Sequence, residues 1–111
     1  MDDRRTTVIE LRERFREFVR ERDWEQYHSP KNLAMSVAIE AAELMEVFQW
    51  CTLEEAWKVR QSPELEHVRE ELADVIIYCL SLANQMDIDI SSAVGEKLEK
   101  NATRYPPKDK W

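Results

Sequence analysis

One glycine in 111 residues, four prolines and two cysteines leave this sequence with little of the material that builds tight turns, loop-rich sheets and cross-linked scaffolds. An all-β architecture is set aside on that ground. Cys51 and Cys79 are too few for a disulfide framework and have no His spacing that suggests zinc or a nucleophile, so both read as free thiols, Cys79 as a small core residue. No run approaches the roughly 18 apolar residues of a membrane span, and Met1 to Thr7 contain no apolar signal segment. The sequence reads as cytoplasmic. Positive charge is also short: 16 Lys and Arg stand against 23 Asp and Glu, for a formal charge of −7 and a pI near 4.9. A nucleic-acid polymer needs a basic footprint that this balance lacks. A small phosphorylated ligand can still be met through a cation.

What is present is helical. With 43% hydrophobic and 35% charged residues, positions 1–111 are expected to form one all-α domain, of a size at which association of copies adds useful burial. Val8, Leu11, Phe15, Phe18 and Val19 recur at three- and four-residue intervals and predict a first helix from about Thr7 to Arg22. Ser29-Pro30 reads as an N-cap with proline at the first helical position, opening a second helix to about Trp50. Thr52-Leu53-Glu54-Glu55 fits a capping box for a short helix to about Arg60, and Ser62-Pro63 opens a long one to Met86. Asp89 or Ser91 caps a last helix to about Thr103, before Tyr105-Pro106-Pro107. The expected fold is a bundle of four main helices with one short connecting helix.

Two carboxylate pairs interrupt this apolar pattern. Glu40-x-x-Glu43 lies among Leu33, Val37, Ile39, Leu44, Val47 and Phe48, and Glu71-x-x-Asp74 among Val68, Leu72, Val75, Ile76, Ile77 and Leu80. Three-residue spacing puts both members of a pair on one helix face. Each pair alone also fits the wet edge of an amphipathic helix. Two pairs on two apolar helices, with oxygen ligands and no Cys/His cluster, point to a hard cation such as Mg²⁺ or Mn²⁺, because four carboxylates brought together repel unless cations lie between them.

Aromatic residues border both pairs. Tyr78 follows Glu71 by seven residues and Asp74 by four, and Trp50 follows Glu43 by seven, so each shares a carboxylate stripe. Trp24 and His28 lie in the connector after the first helix. These aromatics suit either core anchors or stacking surfaces for a nucleobase. Lys97, Asn101, Arg104 and Lys108 form a basic strip near the end of the chain, which reads either as a solvated last turn complementing the helix dipole or as a triphosphate contact.

Taken together, Glu40-x-x-Glu43 and Glu71-x-x-Asp74 in an all-α chain resemble the MazG-type nucleoside triphosphate pyrophosphohydrolases. Arg22-Asp23-Trp24-Glu25-Gln26-Tyr27-His28, Pro30-x-Asn32-Leu33, Phe48-Gln49-Trp50, Glu70-Glu71-Leu72-x-Asp74-Val75 and Arg104-Tyr105-Pro106 are similar to the short, single-domain dCTP pyrophosphatase branch, from about Leu11 to Pro106. The resemblance implies Mg²⁺-dependent hydrolysis of a deoxynucleoside triphosphate, dCTP or a modified dCTP, to the monophosphate and pyrophosphate, as housekeeping of the nucleotide pool. It implies that Glu40, Glu43, Glu71 and Asp74 hold Mg²⁺, with Glu43 or Glu70 as alternatives for the proton acceptor. It also implies that Trp24, His28, Asn32, Trp50, Tyr78, Lys97, Asn101 and Arg104 meet the substrate, and that the chain assembles as a homotetramer, a dimer of dimers. One departure is visible at Phe15, where cytosine-preferring relatives can carry histidine. Two other readings stay open: a non-enzymatic helical interaction module, and a dUTPase or broad NTP pyrophosphatase on the same scaffold.

Overall fold

The computed structural model describes residues 1–110 and contains five α-helices: α1 Val8–Glu21, α2 Pro30–Phe48, α3 Leu53–Lys58, α4 Glu64–Met86 and α5 Ile90–Arg104. Short 3-10 turns occupy Glu25–Tyr27, Val59–Gln61 and Lys108–Lys110, and no strand occurs among the described residues. The four long helices and the short connector are those expected from the sequence. Side chains set the starts. Thr7 and Thr52 each accept from the backbone N–H three residues on and receive a returning glutamate, Glu10 and Glu55, in full capping boxes. Ser29 caps α2 ahead of Pro30, and Asp89 caps α5 by accepting from Ser92 N–H.

In a chain with one glycine, aspartate supplies the left-handed residues that end helices. Asp23 and Asp87 have φ of 54° and 52°, a region short polar side chains tolerate better than most. After α1, Trp24 N–H bonds to Val19 C=O and Asp23 N–H to Arg20 C=O, each at 3.1 Å. That pair of bonds is a Schellman motif, and it turns Trp24 back so that its ring meets Phe18 edge-on at 5.7 Å. Helix α2 stops at Phe48, two residues short of the expected end, so Trp50 stands outside it and is 88% exposed. Helix α4 begins at Glu64 rather than Pro63, whose N–H-lacking nitrogen sits in the cap position.

The main packing is α2 against α4, with α1 along another face of α4. α2 and α4 run antiparallel, since His28 just before α2 reaches Ser81 late in α4 while Glu40 and Glu43 meet Glu71 early in it. The α1–α4 seam is polar at its centre. Arg12 is buried, its Nε donating to Asn84 Oδ1 at 2.8 Å and its NH1 to Ile88 C=O at 2.8 Å, and Arg16 NH2 donates to the same Asn84 oxygen at 3.2 Å.

The apolar core is small: Val19, Leu33, Leu80 and Ala83 are the buried apolar residues among those described. The apolar neighbours of the carboxylate pairs are therefore only partly enclosed, and Ile39, Leu72 and Ile76 remain about half exposed. Every residue of α5 from Ser91 to Lys100 is exposed, Val94 and Leu98 included, although Ile90 joins an apolar groove with Ala34, Val37, Cys79 and Leu82. The accessible surface is 9276 Å², against roughly 6,400 Å² for a compact monomer of this mass. The radius of gyration is 17.0 Å, where about 13 Å is usual for this length. Both cysteines are free, and among the described residues no helix is long and apolar enough to cross a membrane.

Asn84→Ala removes the acceptor that two arginines share. Leaving the buried Arg12 guanidinium short of a partner costs about 1–3 kcal/mol, and urea unfolding monitored by circular dichroism should show that loss with little change in the slope of the transition.

Candidate metal and nucleotide site

The antiparallel register of α2 and α4 brings the acidic pairs together. Carboxylate oxygens of Glu40, Glu43 and Glu71 all lie within 4.8 Å of one another. Asp74 stands beside them, near enough for its charge to act on both Glu40 and Glu71. Two oxygens, Glu40 Oε2 and Glu71 Oε2, are buried and meet no hydrogen-bond donor. A buried carboxylate oxygen normally finds an N–H, O–H or cation. Here the inward-facing atoms meet further carboxylates.

The electrostatics follow from that geometry. The Glu40 carboxyl is pushed above its usual range, first by burial, then by the approach and charge of Glu43 and the charges of Asp74 and Glu71. Glu71 is also raised, by burial and by Glu43, with His67 pulling the other way. Burial raises the Tyr78 hydroxyl as well, helped by the charges of Glu40 and Asp74, so this phenol borders the cluster. An all-oxygen donor set with two orphaned inward oxygens fits a hard divalent cation.

Glu70, offered by the sequence as a second proton acceptor, is exposed and takes no part in the cluster. Adjacent residues of a helix point about 100° apart, so Glu70 and Glu71 cannot share a face. Trp24 is edge-on to Phe18, and Arg22 lies over the Phe18 ring at 3.6 Å. His28 stacks on Phe15 at 6.3 Å and its Nδ1 is 3.3 Å from Ser81 Oγ; burial lowers its pKa. The Asn32 amide donates to Tyr27 C=O at 3.1 Å, which ties α2 to the preceding turn. Lys97, Asn101 and Arg104 ride on α5 and form no hydrogen bond or ion pair with the carboxylates among the described residues, although Arg104 lies 5.3 Å from the centre of the Tyr105 ring. The site of one protomer thus holds acidic and aromatic parts but not the basic strip.

Three neighbours carried no signal of the site in the sequence spacing. Phe15 and Phe18 stack at 5.8 Å and extend the aromatic surface from Trp24 to His28; their helical period was legible, but it was indistinguishable from core. His67, four residues before Glu71, lies within 3.4 Å of it.

Comparison with known proteins places this arrangement in a class: it is an all-α fold shared with pyrophosphatases. A crystal structure of a pyrophosphatase from Archaeoglobus fulgidus superposes with a TM-score of 0.85 at 42% identity, covering 96% of this chain and 99% of that one. The MazG-like family model matches residues 35–110, and the chain belongs to the MazG-like family. It is 41% identical over 104 residues to dCTP pyrophosphatase 1 of Bos taurus and 43% identical over 101 residues to dCTP pyrophosphatase 1 of Homo sapiens, in each case across 90% of this chain. The chain spans about 60% of the length of these curated relatives.

A carboxyl with a raised folded pKa contributes stability in full below its unfolded pKa, and that contribution is lost as pH rises through the raised folded value. The metal-free protein should therefore carry a penalty at neutral pH that Glu40→Gln relieves. Calorimetry in EDTA should give Glu40→Gln a melting temperature a few degrees above wild type at pH 7.5, with the gap closing toward pH 4.

Proposed function

We propose that this chain hydrolyses a deoxynucleoside triphosphate between its α and β phosphates, giving the monophosphate and pyrophosphate, with dCTP or a modified dCTP as the preferred substrate. The observation that carries this reading is the carboxylate cluster across α2 and α4, with two buried oxygens that lack donors. Similarity to proteins named dCTP pyrophosphatase 1 supports it.

Glu40, Glu43, Glu71 and Asp74 would hold Mg²⁺, with Mn²⁺ as a substitute. When bound, the cations would neutralise the triphosphate and lower the pKa of an attacking water. Glu43, the exposed member of the cluster, would accept the proton of that water, whereas Glu70 lies outside the cluster. Trp24 and Trp50 would offer stacking faces for the base, with His28, linked to Trp24 through Phe15 and Phe18, and Asn32 as further contacts. Tyr78, packed next to Asp74, would wall the sugar closely enough to disfavour a 2′-hydroxyl.

Lys97, Asn101 and Arg104 would meet the phosphates from a neighbouring subunit of a homotetramer. The half-exposed apolar residues of α2, α4 and α5 and the large accessible surface support such an assembly, since a lone protomer leaves unburied what a subunit interface would cover.

Pyrophosphate release from each dNTP and NTP, with Mg²⁺ and with EDTA, tests the proposal. Metal-dependent release highest for dCTP is expected; a flat ranking would favour a broad NTP pyrophosphatase, and no release from folded, metal-loaded protein would favour an interaction module. Glu43→Ala and Asp74→Ala should each lower kcat by at least a thousandfold while leaving helical content unchanged, and Trp50→Ala should raise KM more than it lowers kcat. Light scattering coupled to size exclusion should give about four times the 13.3 kDa chain mass.

A further inference from the structure

We infer that His67 is a positioning residue for the cation site, holding the Glu71 carboxylate so that one oxygen faces the imidazole and the other is left for the metal. The inference rests on the cation-binding reading above.

Glu64, His67, Glu71, Asp74 and Tyr78 succeed one another along α4 at three- and four-residue intervals, which puts all five on one stripe of the helix. His67 Nε2 lies 3.4 Å from Glu71 Oε1, and its Nδ1 lies 3.4 Å from Glu64 Oε2. Side-chain exposure falls along this path from 62% at Glu64 through 51% at His67 to 15% at Glu71. The imidazole therefore stands between a solvated carboxylate and a buried one.

The two oxygens of Glu71 have different surroundings. Oε1 is on the His67 side, while Oε2 is buried without a donor. Repulsion from Glu43 and Asp74 favours rotation of the Glu71 side chain away from the cluster. In the tautomer that carries its proton on Nε2, the ring 3.4 Å from Oε1 offers the carboxylate a donor only in its inward rotamer and so opposes that rotation. Outer partners of this kind typically change metal affinity by about 10–100-fold, and a half-exposed imidazole belongs at the lower end of that range.

Mn²⁺ itself is the probe. Free Mn²⁺ followed by electron paramagnetic resonance during titration of the full chain in its native assembly at pH 7.5 gives Kd for wild type, His67→Ala and His67→Gln. The expected result is a Kd about tenfold higher for His67→Ala, largely restored in His67→Gln, whose amide N–H reaches residue i+4, with circular dichroism unchanged in both. Wild-type affinity in His67→Ala, or no recovery in His67→Gln, would overturn the positioning role alone. A folded wild type that binds no Mn²⁺ would instead remove the cation reading on which it rests.

Discussion

Mutual repulsion among Glu40, Glu43, Glu71 and Asp74 is the constraint on which the rest of the molecule depends. Unit charges 4–5 Å apart at an effective dielectric near 20 repel by about 3–4 kcal/mol per pair, and solvent reaching Glu43 reduces that figure. A sequence selected for stability alone would place leucine or alanine at these positions of the α2–α4 interface. Instead the antiparallel register aligns two acidic pairs, and packing at the far end of the same helix pair, where Leu33, Leu80 and Ala83 are buried, holds them together. The helices act as a clamp whose apolar end keeps the acidic end closed. Burial and this crowding raise the carboxyls of Glu40 and Glu71, and a bound divalent cation would relieve the repulsion.

The second constraint is a shortage of interior. A chain of 111 residues with four buried apolar side chains has not completed a core, and the exposed apolar residues of α2, α4 and α5 are too regularly spaced to be incidental. In the proposed tetramer, subunit association would cover these residues and, through α5, bring basic side chains to an acidic site that lacks them. The carboxylates cluster on α2 and α4, while Lys97 and Arg104 stand on α5, a helix with little packing of its own.

Much of this was legible in the sequence because helix starts are written in side chains. Ser29-Pro30, Thr52 with Glu55, and Asp89 each act through hydrogen bonds to residues two or three positions away, so local chemistry decides them. Helix ends were less legible. The expected α2 ran on to Trp50 because Phe48 and Trp50 continue an apolar pattern, and the left-handed Asp23 and Asp87 stand where glycine is the usual signal. In the candidate site, three-residue spacing singled out Glu40, Glu43, Glu71 and Asp74, and two helices that pack by their apolar stripes bring those carboxylates near one another. The same geometry argues against Glu70. His67 went unnoticed because a single histidine among charged residues carries no pattern until its partner at i+4 is known to be buried. In the proposed tetramer Lys97, Asn101 and Arg104 reach the phosphates from a second copy, an arrangement that spacing within one chain does not encode.

The most direct measurement is anomalous diffraction at the manganese edge from crystals of the wild-type protein grown with Mn²⁺. The account requires at least one anomalous peak among the carboxylates of Glu40, Glu43, Glu71 and Asp74, within bonding distance of Glu40 Oε2 or Glu71 Oε2. Fully ordered carboxylates with no peak between them, or manganese bound only elsewhere on the protein, would contradict it.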